Sequence, residues 1–170
     1  MASQDIYERL KEDHDRHRQM IEKIKASSGH PDERIKLFEA FKKEVMGHAA
    51  AEEETLYATM LSRSEIRQDA QHSTKEHAEI GMMLVKLDEK GADADGWLRQ
   101  FEKLAEEYTH HVDEEESKIF PDAQKEIDEE TAVRLRDEFN ERKPQEVERA
   151  LEGEDLPEIK EAIKEEEGSK

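Results

Sequence analysis

The chain has 170 residues and a formal net charge of −19, with 43% charged and 34% hydrophobic side chains. This negative charge argues against nucleic acids and anionic membrane surfaces as partners, because both would repel it. The absence of cysteine excludes disulfides, thiolate zinc sites, iron–sulfur clusters and cysteine nucleophiles.

Four helical segments are predicted from the apolar periodicity and from the loop residues between them, and no strand pattern is present. The breaks fall at residues 27–32, 62–64 and 91–96. They leave helices over roughly 4–26, 32–62, 64–90 and 95–119. Helices of this length with short links predict an all-α, up-down-up-down four-helix bundle.

The residues after the fourth helix predict a C-terminal helical extension. Pro121 is expected to end or kink the fourth helix, and a further helix is predicted over about 128–142. The modest apolar contacts of that helix would come from Val133, Leu135 and Phe139. After Pro144 the Glu/Lys-rich sequence predicts a loosely attached helix or a frayed tail. We therefore divide the chain into a bundle domain, 1–125, and an acidic helical extension, 126–170.

Each predicted helix has one inward-facing stripe that is apolar except near its middle, where polar residues interrupt it. The interruptions are His14 and His17 in the first helix, His48 and Glu52 in the second, His77 in the third, and His111 and Glu115 in the fourth. His72 and His110 each lie about 100° from their stripes and His30 lies in a loop, so these three are not assigned to the site.

The second and fourth helices contain the same short motif, His48-Ala-Ala-Ala-Glu52 and His111-Val-Asp-Glu-Glu115. Each motif is followed by an aromatic residue five positions later, and this repetition suggests duplication of a helix hairpin. A histidine and a glutamate four residues apart share one helix face, so both can reach one object.

The remaining stripe histidines are expected at the same height as the motifs. If consecutive helices are antiparallel, the residue numbers place His77 level with both motifs. The same count slightly favours His14 over His17, which remains an alternative in the first helix.

Metal binding is the predicted explanation for this polar layer, and a purely structural acidic bundle is the alternative. Four imidazoles and two carboxylates would be costly to bury without a counter-charge. Imidazole and carboxylate ligands suit iron, manganese or zinc, and six side chains suit two ions better than one tetrahedral zinc. The predicted ligands are His14, His48, Glu52, His77, His111 and Glu115, with the two glutamates able to bridge the ions. Tyr108, one turn before His111, is expected to pack in the core and could also hydrogen-bond a ligand of the metal.

The order of these residues resembles the H-HxxxE-H-HxxxE signature of hemerythrin-like, or HHE cation-binding, domains. The pair Asp13-His14, the run ending at Tyr57 and the sequence Ile-Phe-Pro121 are similar as well, and the resemblance covers about residues 4–125. It implies a four-helix bundle with a non-heme di-iron centre. The expected function is therefore binding or sensing of dioxygen or nitric oxide.

One departure from the oxygen-carrying hemerythrins affects this expectation. Those proteins have a His-x-x-x-His pair on the third helix, whereas Ser73 stands four residues before His77 here. The neighbouring His72 could substitute only if the helix were locally distorted. The departure favours sensing, detoxification or redox chemistry over reversible oxygen carriage. The alternative is a peroxidase- or oxidase-like di-iron enzyme, or an iron donor in iron-centre repair, and no catalytic residue is assigned.

A cytoplasmic location is expected. No stretch of about 18 apolar residues is present. The first residues, Met-Ala-Ser-Gln-Asp, lack the basic and apolar regions of a signal peptide. The small-molecule partner would then be dioxygen, nitric oxide or peroxide.

Overall fold

The computed structural model describes residues 2–152, and every regular element in this part of the chain is helical. The helices are α1 (Ile6–Lys25), α2 (Pro31–Glu52), α3 (Ala58–Leu61), α4 (Arg67–Lys90), α5 (Trp97–Glu114), α6 (Phe120–Glu126) and α7 (Glu129–Glu152). Two π-helical turns, Glu53–Tyr57 and Glu115–Ile119, join α2 to α3 and α5 to α6 without a break. The predicted all-α class is confirmed. Within residues 2–152, no helix combines the length and the apolar character needed to cross a membrane.

Local sequence explains where the long helices begin and end. Asp5 starts α1 with a capping box. The Asp5 side chain accepts from the backbone N–H of Glu8, and the Glu8 side chain accepts from the backbone N–H of Asp5. Pro31 occupies the first turn of α2, where its missing N–H is harmless. Gly91 follows α4 with φ 87°, a conformation that favours glycine. The four predicted segments match the observed helices to within about one turn, except that the fourth continues to Glu126.

Neither Pro121 nor Pro144 ends the helical backbone, so the fourth helix does not end at Pro121 and the last helix does not end near residue 142. Pro121 lies in the first turn of α6, where a proline needs no hydrogen-bond partner, and the backbone stays helical beyond it. Pro144 lies inside α7, which continues to Glu152 instead of ending near residue 142. The side chains of Glu146 and Ala150 are buried, so this stretch is not loosely attached. The rest of the predicted tail lies outside the described residues.

The core consists of two apolar clusters. Helices α1, α2 and α4 contribute to both, whereas α5 contributes to the first and the π-helical turn and α6 that follow it contribute to the second. The first cluster includes Ile21, Phe41, Leu84, Trp97 and Phe101. The second includes Leu10, Leu56, Met60, Ala70 and Phe120. In α1 and α4 the predicted polar residues lie between the contributions to the two clusters. In α2 and α5 they lie where the chain passes from the first cluster to the second. The stripes therefore have the predicted phase, and they leave a polar layer across the middle of the bundle.

Helix α7 packs along α2 and also contacts α1. Gly47 permits this close approach, since a Cβ at that position would lie 2.9 Å from the Val147 backbone. Leu135 and Phe139 are buried in the second apolar cluster, whereas Val133 is half-buried. Helix α7 thus belongs to the packed core, while the division of the chain at residue 125 stays a prediction.

Candidate metal centre

The buried polar layer contains all of the predicted ligands, and the structure brings them together. Five of the six are buried, and the side chain of the other, His77, is only 7% exposed. Their ligand atoms form two groups, within each of which all atoms lie within 4.8 Å of one another. One group is Glu52, His77, His111 and Glu115, and the other is His14, His48 and Glu52. Glu52 belongs to both, so the layer is one continuous cluster.

Each motif glutamate lies between histidines of different helices. Glu52 has His77 Nε2 at 3.2 Å from one oxygen and His48 Nε2 at 3.8 Å from the other. Glu115 has His14 Nε2 at 3.4 Å from Oε2, while His77 Nε2 is 3.6 Å from Oε1. Both carboxylates therefore occupy positions suited to bridging two cations.

Several atoms of this layer have no hydrogen-bond partner within residues 2–152. They are both ring nitrogens of His14, both carboxylate oxygens of Glu52, Nδ1 of His77 and Oε2 of Glu115. Burying polar atoms without partners is unfavourable, and most native proteins avoid it. Cations between the side chains would satisfy these atoms, and a set of imidazoles and carboxylates suits iron, manganese or zinc. The residues present therefore fit a metal centre.

The charges of the two motif glutamates oppose each other in the absence of a cation. Burial raises the pKa of Glu52 most, and the neighbouring Glu115 carboxylate raises it further. Burial would also raise the pKa of Glu115, but His111 and His14 hold it well below its usual range. Burial would lower the pKa of His14, yet Glu115 and Glu116 raise it to about 9. A cation between the carboxylates would remove this repulsion.

Two further carboxylates hold the motif histidines from outside the cluster. His48 Nδ1–H donates to Asp13 Oδ2 at 2.8 Å, and His111 Nδ1–H donates to Glu76 Oε1 at 3.2 Å. Burial would raise the pKa of Asp13, but its contacts, His48 first among them, hold it well below its usual range. Because an ionised carboxylate can only accept, Nδ1 carries the proton and Nε2 remains free for a metal.

The sequence prediction missed the roles of Asp13 and Glu76, although a signal for them is present. Each directly precedes a predicted ligand, as Asp13-His14 and Glu76-His77. Each lies 35 residues before the motif histidine that it holds. An acid–histidine pair at the same distance from both motifs could have identified these carboxylates.

Each motif also leads into a π-helical turn, which the periodicity did not predict. The turns begin directly after Glu52 and at Glu115. A π turn holds more residues than an α turn, so it turns the aromatic residue five positions after each motif toward the interior. Tyr57 donates its hydroxyl to Glu115 Oε1 at 2.8 Å, and the Phe120 ring stacks on His14 with centroids 5.9 Å apart. The motif aromatics thus complete the walls of the cluster.

The family model of the hemerythrin HHE cation binding domain matches residues 5–123 of the sequence. The chain belongs to this family. A crystal structure of a hemerythrin HHE cation binding domain-containing protein from Mycobacterium kansasii is similar to this HHE domain, with a TM-score of 0.75 and 21% identity. The similarity covers 89% of this chain and 92% of that one, and at this identity it shows the fold alone. Among curated proteins, none matches the sequence.

The other histidines of the HHE domain lie outside the two ligand groups. His17 is buried, and its Nδ1 lies 2.5 Å from the hydroxyl of Tyr108, which packs in the first apolar cluster. His72 and His110 have side chains that are 52% and 72% exposed, so the distortion that would bring His72 inward is absent. His30 is exposed and precedes α2.

A cavity of about 380 Å³ lies beside the cluster, between α2 and α4 of the HHE domain. Its polar lining consists of His48, His77, His111, Glu53, Glu54, Thr74 and Tyr108. The remaining lining is apolar and includes Val45, Ala49, Ala50, Ile80, Gly81 and Leu84. The lining also includes exposed residues, Ala78 among them, so the cavity reaches the surface.

Proposed function

We propose that this HHE domain holds two iron ions in the polar layer. The ligands would be His14, His48, Glu52, His77, His111 and Glu115, with manganese or zinc as chemically suitable substitutes. The observation that carries this proposal is the set of unpartnered buried atoms at these side chains. The position of each glutamate between histidines of different helices supports two ions over one.

The proposed role is binding or sensing of dioxygen or nitric oxide. Iron with a free coordination position supplies reversible ligand binding and electron exchange. The residues of the chain supply the rest: Asp13 and Glu76 orient the motif histidines, and the apolar clusters cover the layer from both ends. The partly apolar cavity beside His77 and His111 is large enough for a small molecule.

A di-iron redox enzyme acting on peroxide or dioxygen, or an iron donor in iron-centre repair, is the second candidate. It is favoured by Ser73, which is buried four residues before His77, where oxygen-carrying hemerythrins have a histidine. One protein ligand fewer would leave an iron more open to reaction.

Metal analysis and optical spectroscopy test both candidates. Protein loaded with iron(II) without oxygen should contain two iron ions per chain, and its spectrum should be recorded before and after exposure to air or nitric oxide. A spectrum that reverses on removal of the gas supports binding, whereas irreversible oxidation or turnover of peroxide supports the enzyme. No metal uptake on anaerobic loading would refute the proposed centre.

Two further predictions from the sequence, on the order of the helices and on the cellular location, accompany this proposal. The up-down-up-down order of the helices is supported by the alternation along the chain. Helices α1 and α4 pass from the second apolar cluster to the first, and α2 and α5, with the turns that follow them, pass back. The cytoplasmic location stays a prediction from the sequence.

A further inference from the structure

We propose that helix α7, which lies beyond the residues matched by the family model, is a working part of the metal centre: Lys143 fixes Asp13, and Asp13 in turn orients His48. Lys143 and Asp13 are positioning residues in this scheme, because neither would touch the metal. The inference rests on the proposed metal site and goes beyond it by adding a helix and a cation to its support.

The contacts of Asp13 connect α7 to the ligand. Its Oδ2 accepts from His48 Nδ1–H at 2.8 Å and lies 2.9 Å from Lys143 Nζ. Its Oδ1 accepts from Arg9 and Arg16, both at 2.7 Å. The Asp13 carboxylate is fully buried and the Lys143 side chain is only 8% exposed, so water screens these contacts weakly.

Lys143 fixes the direction in which Asp13 points. The two arginines attract Oδ1, and the Lys143 ammonium attracts Oδ2 from another side. Lys143 is held in turn by Glu44, whose Oε1 lies 2.5 Å from Nζ. With both oxygens held, Asp13 keeps Oδ2 toward the ring of His48. The ring then keeps Nε2 toward Glu52 and the layer.

The backbone and side chains of α7 also cover His48 directly. Gly47, next to this histidine, lets the α7 backbone approach α2 closely at Val147. The Phe139 ring packs against the His48 imidazole, with centroids 5.7 Å apart and planes at 74°. Arg9 lies over the Phe139 ring, 5.1 Å from its centroid. Helix α7 therefore supports His48 by packing as well as by charge.

The other half of the centre has a different arrangement. Glu76, which holds His111, is 15% exposed, and it lies 3.3 Å from the exposed His72. The described contacts of Glu76 include no lysine or arginine from α7. The proposal thus predicts that α7 supports one of the two metal positions, the one at His48, and not the one at His111.

Metal titrations of three full-length variants test the proposal. Lys143→Met removes the charge and keeps the length of the side chain, and Lys143→Arg keeps the charge. Lys42→Met is the matched control, because it removes a part-buried lysine of α2 that pairs with Asp88 at 3.1 Å and has no described contact with Asp13. Anaerobic titration with iron(II), and in parallel with zinc(II), against a chromophoric chelator gives the affinity of each position.

We expect Lys143→Met to bind metal several-fold more weakly at one position and normally at the other, because loss of the direct partner of a ligand, here Asp13, typically costs about tenfold or more and Lys143 acts through Asp13. Lys143→Arg should recover most of this affinity, and Lys42→Met should match the wild type. Wild-type affinity at both positions in Lys143→Met overturns the proposal. A wild type that binds no metal refutes the proposed centre itself, so the two failures are distinguishable.

A second variant and a second measurement separate positioning from folding. Lys143→Met/Glu44→Gln removes the cation together with the carboxylate that it neutralises, so no new unpaired charge is buried at Glu44. Histidine-selective ¹⁵N NMR of the zinc-loaded protein reports the His48 Nδ1–H proton. We expect this proton to shift and to exchange faster with water in both Lys143→Met proteins and to be restored in Lys143→Arg. An unchanged proton, or wild-type affinity in the double variant, overturns the proposal.

Discussion

Neighbouring histidines on one helix have opposite surroundings in this protein. His111 is buried in the polar layer, whereas the side chain of His110 is 72% exposed and pairs with Glu114. The same contrast separates the enclosed His77 from His72 on α4. Position on the helix face therefore decides which imidazole can meet a metal.

Alanine substitutions of these four histidines should affect metal binding only where the histidine is buried. We expect His77→Ala and His111→Ala to lose most of the bound metal, because each removes a nitrogen that faces the motif glutamates. His72→Ala and His110→Ala are the controls and should retain it. Metal content after anaerobic loading is the measurement. Loss of metal from His110→Ala but not from His111→Ala would show that the assigned face of α5 is wrong.

The charge of Glu44 should stabilise the metal-free protein at neutral pH, and this contribution should be lost in acid. Burial would raise its pKa, but His17, Lys143 and Arg16 lower it from 4.5 to about 2. A carboxylate with a lowered folded-state pKa stabilises the fold above its unfolded pKa and loses this contribution as the pH falls toward the folded value. Glu44→Gln should therefore lower the free energy of unfolding by roughly 1–3 kcal/mol at pH 7.

Denaturant unfolding of the metal-free wild type and Glu44→Gln over a pH series measures this effect. The difference between them should be largest at neutral pH and shrink between about pH 4.5 and pH 2. A difference that stays constant over this range would mean that the charge of Glu44 has no part in it. Glu39→Gln, at an exposed position of the same helix, is the control and should differ little from the wild type.

At the level of elements, the sequence predicts the long helices and their inner faces but not the π-helical turns. Apolar residues spaced by three and four determine α1, α2, α4 and α5, because only one face of each can be buried. A regular α-helix would already bury Leu56, four residues after Glu52, so the periodicity contains no sign that Tyr57 is buried as well. The extent of α7 was missed for another reason. It is held partly by buried polar residues, Lys143 and Glu146, which add nothing to an apolar pattern.

Removal of one residue from the first π-helical turn tests its role. Deletion of Glu54 should convert the turn to a regular α turn and rotate Tyr57 and α3 by about 100° relative to α2. The hydrogen bond from Tyr57 to Glu115 would then be lost, together with the packing of α3. We expect the melting temperature to fall by roughly 10 °C or more, with loss of bound metal.

Glu54→Ala is the matched control for this deletion, because it removes the same side chain and its pairing with Arg142 but keeps the length of the turn. It should melt within a few degrees of the wild type and keep its metal. If the deletion and Glu54→Ala had the same melting temperature and metal content, the π-helical geometry would be irrelevant to the centre.

Over the whole molecule, the metal should contribute much of the stability. The polar layer interrupts the core between two apolar clusters, and the unpartnered atoms in it oppose folding of the metal-free protein. A metal that binds only the folded state adds RT ln(1 + [L]/Kd), about 4 kcal/mol at a thousand times Kd. For a chain of this size we expect a rise in melting temperature on the order of 10 °C.

Thermal melts of loaded and chelator-treated protein check this effect. The gap between them should narrow as the pH falls from 7 to 5, because protons compete with the metal for the histidine and glutamate ligands. Equal melting temperatures of the two forms at neutral pH would favour the purely structural interpretation of the layer.

The equal spacing of the two acid–histidine pairs from their motifs has a consequence for symmetry. His14 of the α1–α2 hairpin contacts Glu115 at 3.4 Å, and His77 of the α4–α5 hairpin contacts Glu52 at 3.2 Å. Each contact becomes the other when the two hairpins are exchanged. The two hairpins thus place equivalent contacts around the two motif glutamates. One hairpin paired with a copy of itself would supply the whole ligand set, so the centre requires only a two-helix unit used twice. Helix α7 breaks this symmetry, because it packs on one hairpin and leaves the other open to solvent at Glu76 and His72.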